Sequence, residues 1–333
     1  MRSIIVCNEP DSYRRVYAPS SLEYLYENAG LDDRLYSEED VRQSPDAFTD
    51  VDFLFSTWGM PVFSEEEIRR FFPRLRCLFY AAGTVQKFAR PFLNEGVRVF
   101  SAWAANAIPV AEVTVSEILL ANKGFFQTAH LMSGGSADEA KGLSFSFPGN
   151  YGAKIGIIGA GMIGKKVIRM LKAYRLEVMV FDPFLPDETA AELGVEKTTL
   201  ARVFSECSVV SNHLANNDQT KGMLREPLFS SMKPHATFLN TGRGLQVNED
   251  DLAAALSARP DLTAILDVTF PEPPEIGSAL YALPNCILTP HIAGSLGDET
   301  KRMAEFMVEE FRNYRAGLPC LYEVTLEALK TMA

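Results

Sequence analysis

The chain has 333 residues, of which 47% are apolar, and its 43 acidic and 32 basic side chains leave a formal net charge of −11. That length exceeds what one core usually holds and predicts two domains. No block of Lys or Arg offsets the negative charge locally, which argues against a nucleic-acid partner and against an anionic membrane surface.

The opening run MRSIIVCNEP is too short in apolar residues for a secretory leader and reads as a first strand at 3–7. Helix-like and strand-like pieces alternate after it, at 20–29, 53–56, 65–72, 77–80 and 97–100, so residues 1–104 form a first α/β unit. Pro109 then precedes a helical pattern from Val110 to about Leu131. Its broad apolar faces suit a helix covered on several sides, inside the fold or at a subunit contact. Glu112 and Glu117 interrupt the apolar stretch at 102–121, which disfavours a membrane span. Residues 133–152, rich in Gly and Ser without periodicity, read as a surface connection. The five cysteines, Cys7, Cys77, Cys207, Cys286 and Cys320, are scattered, odd in number and lack a C-x-x-C pair. They predict reduced thiols in a cytoplasmic protein and no metal site.

The most informative stretch runs from Lys154 to Asp182. A buried strand (Ile155, Ile157, Ile158) leads into Gly159, Gly161 and Gly164 at G-x-G-x-x-G spacing, and Ile163, Val167, Leu171 and Tyr174 then mark one face of a helix. A second strand at 177–181 ends at Asp182, eighteen residues beyond Gly164. Each part has a physical task in binding a dinucleotide: Gly159 for the turn, Gly161 for approach to a pyrophosphate, Gly164 for helix packing, and the helix N-terminus for phosphate charge. A carboxylate at Asp182 accepts bonds from ribose hydroxyls and repels a 2′-phosphate, which favours NAD over NADP. As a plainer alternative, Asp182 only starts a turn before Pro183.

Further strands are expected at 208–213, 236–240, 264–268 and 286–289, in a mostly parallel, doubly wound sheet. Asn248 is placed as the N-cap of a helix, and a final helix at 298–315 leads the chain back to the first domain. Three polar residues stand at the carboxyl ends of successive strands: Arg243 in LNTGRGLQ, Glu272 in DVTFPEPP and His291 in LTPHIAGS. A guanidinium can hold a substrate carboxylate and polarise a carbonyl, while an imidazole moves a proton and a carboxylate fixes its tautomer. Together they suit hydride exchange between a nicotinamide and a 2-keto or 2-hydroxy acid. The same residues admit plainer roles, as a cap for strand-end carbonyls, a solvated loop acid and a structural histidine. His130, His213 and His235 are read as structural or surface groups.

These motifs resemble the D-isomer-specific 2-hydroxyacid dehydrogenases over nearly the whole chain. The resemblance rests on Val110-Ala111-Glu112, Gly156 to Gly164, Asn240 to Gly244, Leu266 to Val268 with Glu272-Pro273, and Leu288 to Gly294. It implies an α/β fold of two Rossmann-like domains, with an NAD domain (105–294) inserted into a discontinuous substrate domain (1–104 and 295–333), the active site in the cleft, and a homodimer. By analogy Arg243, Glu272 and His291 are catalytic. Gly159, Gly161, Met162, Ile163, Gly164, Asp182, Thr241, Gly242 and Asp267 bind NAD. Backbone groups of Ala82, Gly83 and Thr84 bind the substrate carboxylate, with Trp58 beside the substrate.

Three positions depart from the family pattern. Met162 stands where many members have arginine, and Asn216 where proline is frequent. Trp58 falls near a phosphate-binding arginine of the phosphoglycerate enzymes, which favours a small substrate of the glyoxylate or hydroxypyruvate kind over phosphoglycerate. Glu272, where formate dehydrogenases carry glutamine, argues against formate. Corepressor-like proteins of the same fold keep the polar trio and act by binding, so an NAD(H)-sensing role is the alternative.

Overall fold

The computed structural model describes residues 1–330. Among them thirteen strands follow in chain order: β1 (Ser3–Val6), β2 (Leu31–Tyr36), β3 (Phe53–Ser56), β4 (Cys77–Tyr80), β5 (Arg98–Ser101), β6 (Tyr151–Ile158), β7 (Arg175–Phe181), β8 (Glu196–Lys197), β9 (Val209–Asn212), β10 (Thr237–Asn240), β11 (Thr263–Leu266), β12 (Cys286–Leu288) and β13 (Glu323–Val324). They form two sheets, ordered β13-β5-β4-β3-β1-β2 and β12-β11-β10-β9-β6-β7-β8. All pairings are parallel except β13 with β5. The chain divides into two compact units, Met1–Asn106 with the chain from Ser295, and Ala107–Gly294.

In the first unit the parallel strands read 2-1-3-4-5, the flavodoxin-like variant of a doubly wound sheet. Its central strands, FLFS and CLFY, are buried at every position, as strands covered on both faces must be. Aromatic rings fill the layer between sheet and helix. Phe79 stacks between Phe55 (5.1 Å) and Phe100 (4.9 Å), and Phe311 meets Phe53, Phe55 and Phe79 edge-on. Phe311 belongs to the helix Lys301–Ala316, so the last helix does return to the first sheet. The sequence LDDRLY escaped notice as a strand because β2 is an edge strand whose polar side chains face solvent.

The second unit's strands run β8-β7-β6-β9-β10-β11, the 3-2-1-4-5-6 order of a dinucleotide-binding sheet, with β12 added at one edge. The helix Met162–Leu171 buries Val167, Ile168 and Leu171, whereas Tyr174, expected on the same face, lies past its end and is exposed. The long helix expected from Val110 is two helices, Trp103–Ala121 and Phe125–Ser133. Gly124 breaks it at a φ of +65°, and a Cβ there would fall 2.2 Å from the Phe147 ring. The first of the two runs through Pro109, and the segment expected as plain connection holds a helix, Ala137–Ser144. By length and composition Trp103–Ala121 could cross a membrane, yet 56% of its apolar window is buried in the protein.

Candidate active site

At the switch point of the second sheet, β6 lies between β7 and β9, and the loops after β6 and β9 touch. Gly159 has a φ of +88°, and a Cβ on it would sit 2.6 Å from the His213 carbonyl oxygen. Gly164 lies so close to the same turn that a Cβ would fall 2.1 Å from the Gly159 oxygen. Gly161 differs, since nothing stands within 4 Å of a Cβ placed there. Its missing side chain therefore leaves room at the N-terminus of Met162–Leu171, a helix with no side-chain cap. Asp182 makes the expected turn and is fixed to the glycine loop. Its Oδ1 accepts the Phe184 N–H (2.8 Å), making the turn at Pro183, and its Oδ2 accepts the Ala160 N–H (2.7 Å), tying it to the glycine loop. Free N–H groups, an open glycine and a fixed carboxylate are a donor set that fits a dinucleotide. Met162 is 43% exposed at this edge and brings no charge. His213 is buried beside Gly159, with Nε2 2.9 Å from Ser211 Oγ, and burial pushes its pKa down to about 4. It stays a neutral structural group.

The turn carrying Arg243 stands on three buried amides at the ends of β9 and β10. Asn212 Nδ2 donates to Asn240 Oδ1 (3.0 Å) and to Gln246 Oε1 (2.6 Å). Asn240 Oδ1 also accepts the Gly242 N–H, and Gln246 Oε1 the Arg243 N–H. Gln246 Nε2 donates in turn to the carbonyls of Leu214 and Ala215. Every buried polar group here has a partner, so the turn has one stable shape. The Arg243 side chain is half-buried and its Nη1 donates to the Gly242 carbonyl (2.7 Å). Burial lowers its pKa from the usual arginine value, with the Glu272 charge opposing the shift, and the group stays cationic. Thr241 is buried, its hydroxyl 3.2 Å from that of Thr114.

Glu272 and His291, nineteen positions apart, meet with Oε1 2.6 Å from Nδ1, and both side chains are partly exposed (42% and 47%). Nε2 of His291 has no partner among the described residues. His291 holds a φ of +56°, a left-handed conformation that costs a non-glycine residue on the order of 1 kcal/mol or more. Asp267 imposes it. The Asp267 carbonyl accepts the His291 N–H (3.1 Å), and its carboxylate accepts from Thr289 Oγ1 (2.6 Å), Ile292 N (2.7 Å) and Ala293 N (2.9 Å). Asp267 is 3% exposed. The loop bearing Glu272 is anchored too: Glu249 Oε1 accepts the Phe270 N–H (2.7 Å), and Gly244 packs on the Thr269 backbone with no room for a side chain.

The sequence pointed to the trio but not to its supports, Asn212, Asn240, Gln246 and the bracing role of Asp267. For Asn212 and Asn240 the signal was present as an asparagine closing each of the buried strands VVSN and TFLN. In the first unit, Ser101 Oγ donates to the carbonyls of Ala82 (2.9 Å) and Gly83 (2.6 Å). The N–H groups of Ala82, Gly83 and Thr84 donate to no acceptor among the described residues. Trp58 is half-buried in the loop after β3, packed on the first core.

Residues 115–293 match the model of the D-isomer specific 2-hydroxyacid dehydrogenase NAD-binding domain. The (S)-sulfolactate dehydrogenase of Chromohalobacter salexigens is 30% identical over 218 residues, 65% of this chain and 69% of that protein. The D-3-phosphoglycerate dehydrogenase of Archaeoglobus fulgidus is 28% identical over 237 residues, 71% of this chain but only 44% of its own length. The chain thus spans about half the length of several relatives it matches. Among solved structures, a phosphoglycerate oxidoreductase from Rhizobium etli superposes with a TM-score of 0.81 at 24% identity, covering 98% of this chain and 99% of the other. The D-mandelate dehydrogenase of Rhodotorula graminis gives 0.81 at 18% identity and 97% of each chain. At such identities the likeness shows the fold, which is that of two doubly wound α/β domains. With the family model covering more than half of its length, the chain belongs to the D-isomer specific 2-hydroxyacid dehydrogenase family, and its second unit carries that family's NAD-binding domain.

Proposed function

We propose that the protein is an NAD-dependent oxidoreductase that interconverts a small D-2-hydroxy acid and its 2-keto acid, of the glyoxylate and hydroxypyruvate kind. The contact between Glu272 and His291 carries this reading. Glu272 keeps the proton of the neutral ring on Nδ1, so Nε2 is free to take the hydroxyl proton in oxidation, and the imidazolium so formed gives that proton from Nε2 to the carbonyl oxygen in reduction. Arg243 pairs with the substrate carboxylate and polarises the carbonyl. NAD, when bound, supplies the hydride donor or acceptor. Gly159, Gly161, Met162, Ile163 and Gly164 are assigned to its pyrophosphate, Asp182 to the adenosine ribose, and Thr241, Gly242 and Asp267 to the nicotinamide end.

The unengaged amides of Ala82, Gly83 and Thr84 are assigned to the substrate carboxylate. Trp58, bulky and without charge, limits the substrate's side chain. We further take the protein to be a cytoplasmic homodimer joined through its second unit, where Phe125, Phe145 and Tyr151 are exposed. Its five thiols are free.

The test mixes pure protein and NADH with glyoxylate, hydroxypyruvate, pyruvate and bulkier keto acids while the nicotinamide absorbance is followed. A fall with the smallest acids is expected. NADH binding without any oxidation across the panel would sink the enzymatic reading in favour of a nucleotide-sensing binder. Asp182→Ala should relax the preference for NAD over NADP, and an unchanged ratio would reduce Asp182 to its turn.

A further inference from the structure

We propose that the N-terminal edge of the first unit's sheet binds a small anion with two or more negative charges, a phosphate ester or a compact polycarboxylate. The segment Arg74-Leu75-Arg76 leads into β4. Leu75 is buried, while Arg74 in the turn before it and Arg76 after it are both exposed. There they line a cavity of about 530 Å³ with Asp52, Phe53, Tyr314 and Arg315. That volume suits a small ligand. The rings of Phe53 and Tyr314 meet edge-on (5.7 Å) and form an apolar wall.

The charges in this cavity do not balance. Asp52 is its only carboxylate, and it stands 3.2 Å from Arg74 and 3.7 Å from Arg76 while also accepting the Arg2 N–H. Arg315 has no carboxylate within 4 Å among the described residues. It reaches the Asn28 carbonyl (3.4 Å) and touches the Met1 sulfur.

The arginines flanking the cavity are matched. Arg98 is held by both oxygens of Glu323 (2.7 and 2.6 Å), and Arg2 by Asp32 (2.7 Å) and Asp50 (2.6 Å). Three guanidinium groups and the Met1 ammonium, which is 3.7 Å from Asp52, face one carboxylate, so the cavity is positive in a chain whose formal net charge is −11. Forked N–H pairs on a concave surface are the geometry that holds phosphoryl and carboxylate oxygens. The loops assigned to substrate, at 57–60 and 81–84, lie at the other end of these strands, about 13 Å away for four extended residues. The site is therefore separate from the one proposed for catalysis.

The whole protein, saturated with NADH so that its glycine loop is filled, is titrated calorimetrically at low ionic strength with inorganic pyrophosphate, glycerol 2-phosphate and citrate. Sodium chloride at matched ionic strength is the control. One saturable site per chain is expected, weakened at least tenfold in Arg74→Gln/Arg315→Gln. Both side chains are exposed, and an unchanged melting temperature without anion verifies that the variant is folded. The tighter of the phosphorylated and carboxylated probes identifies the ligand class. No saturable heat with any probe, or equal affinity in the double variant, would overturn the proposal.

Discussion

The two sheets share a winding pattern but close their strands with different chemistry. In the first unit the strand ends are hydroxyls that donate to carbonyls: Ser56 to Val6, Thr57 to Ala81, and Ser101 to Ala82 and Gly83. Satisfying the carbonyls in this way leaves neighbouring N–H groups for something else. In the second unit the strand-end side chains are amides and a carboxylate, which also accept N–H groups, and the turns they fix present side chains. One sheet thus offers backbone donors, suited to holding an anion, and the other offers Arg243 and His291, suited to chemistry. The contrast explains why the Arg243 and His291 side chains are partly exposed and sparsely bonded while their supports are buried and saturated.

The strongest way to break this contrast is to remove a presented side chain. His291→Ala is expected to lower turnover by about two to four orders of magnitude while NADH binding stays near wild type, the usual worth of a positioned general acid. Steady-state rates with the best keto acid, beside fluorescence titration with NADH, would check it. An unchanged rate removes His291 from the mechanism. Removing a support should act on stability first. Gln246→Ala, at a fully buried side chain, takes a partner from two carbonyls, the Arg243 N–H and Asn212 Nδ2, for a loss of roughly 3–5 kcal/mol in urea unfolding.

A third prediction concerns a carboxyl that the Asp267 charge opposes. Glu117, on the helix Trp103–Ala121, is partly buried, and its inaccessible Oε2 has no partner among the described residues. Burial, reinforced by the charge of Asp267, pushes its pKa from 4.5 up to about 7. Between those values the folded protein holds a proton that the unfolded chain has released. Stability therefore falls as pH rises through the window, by on the order of 3 kcal/mol once above pH 7. Glu117→Gln should recover most of that at pH 8 and almost nothing at pH 5, read from urea midpoints at the two values. An equal change at both would show that the carboxyl is not protonated by folding.

Much of this architecture was legible because it rests on local pattern. The apolar strands FLFS and CLFY, the glycine spacing after β6 and the Asn248 cap, which accepts the Asp251 N–H at 3.1 Å, all follow from short-range rules. What stayed hidden depends on contacts distant in sequence. The break at Gly124 is closed over by the ring of Phe147, twenty-three residues later, which leaves no room for a side chain. Strand β2 is polar because it is an edge, which its own six residues do not announce. Asp267 was read as facing a cofactor, and its bonds to the loop at 289–293 emerge only once β11 and β12 lie side by side.

The smallest effect is the sharpest test of the contrast. Ser101 is fully buried, and its hydroxyl bonds the carbonyls of Ala82 and Gly83. Ser101→Ala should cost about 1 kcal/mol of stability, the net worth of a buried hydroxyl's bonding. The consequence for the reaction follows from what the first unit is taken to supply. If its loop only binds, loosening residues 82–84 weakens substrate and transition state alike, so KM for the keto acid rises several-fold while kcat holds. A matching fall in kcat would mean that the loop also orients the carbonyl under attack, and the division between a binding sheet and a reacting sheet would not survive it.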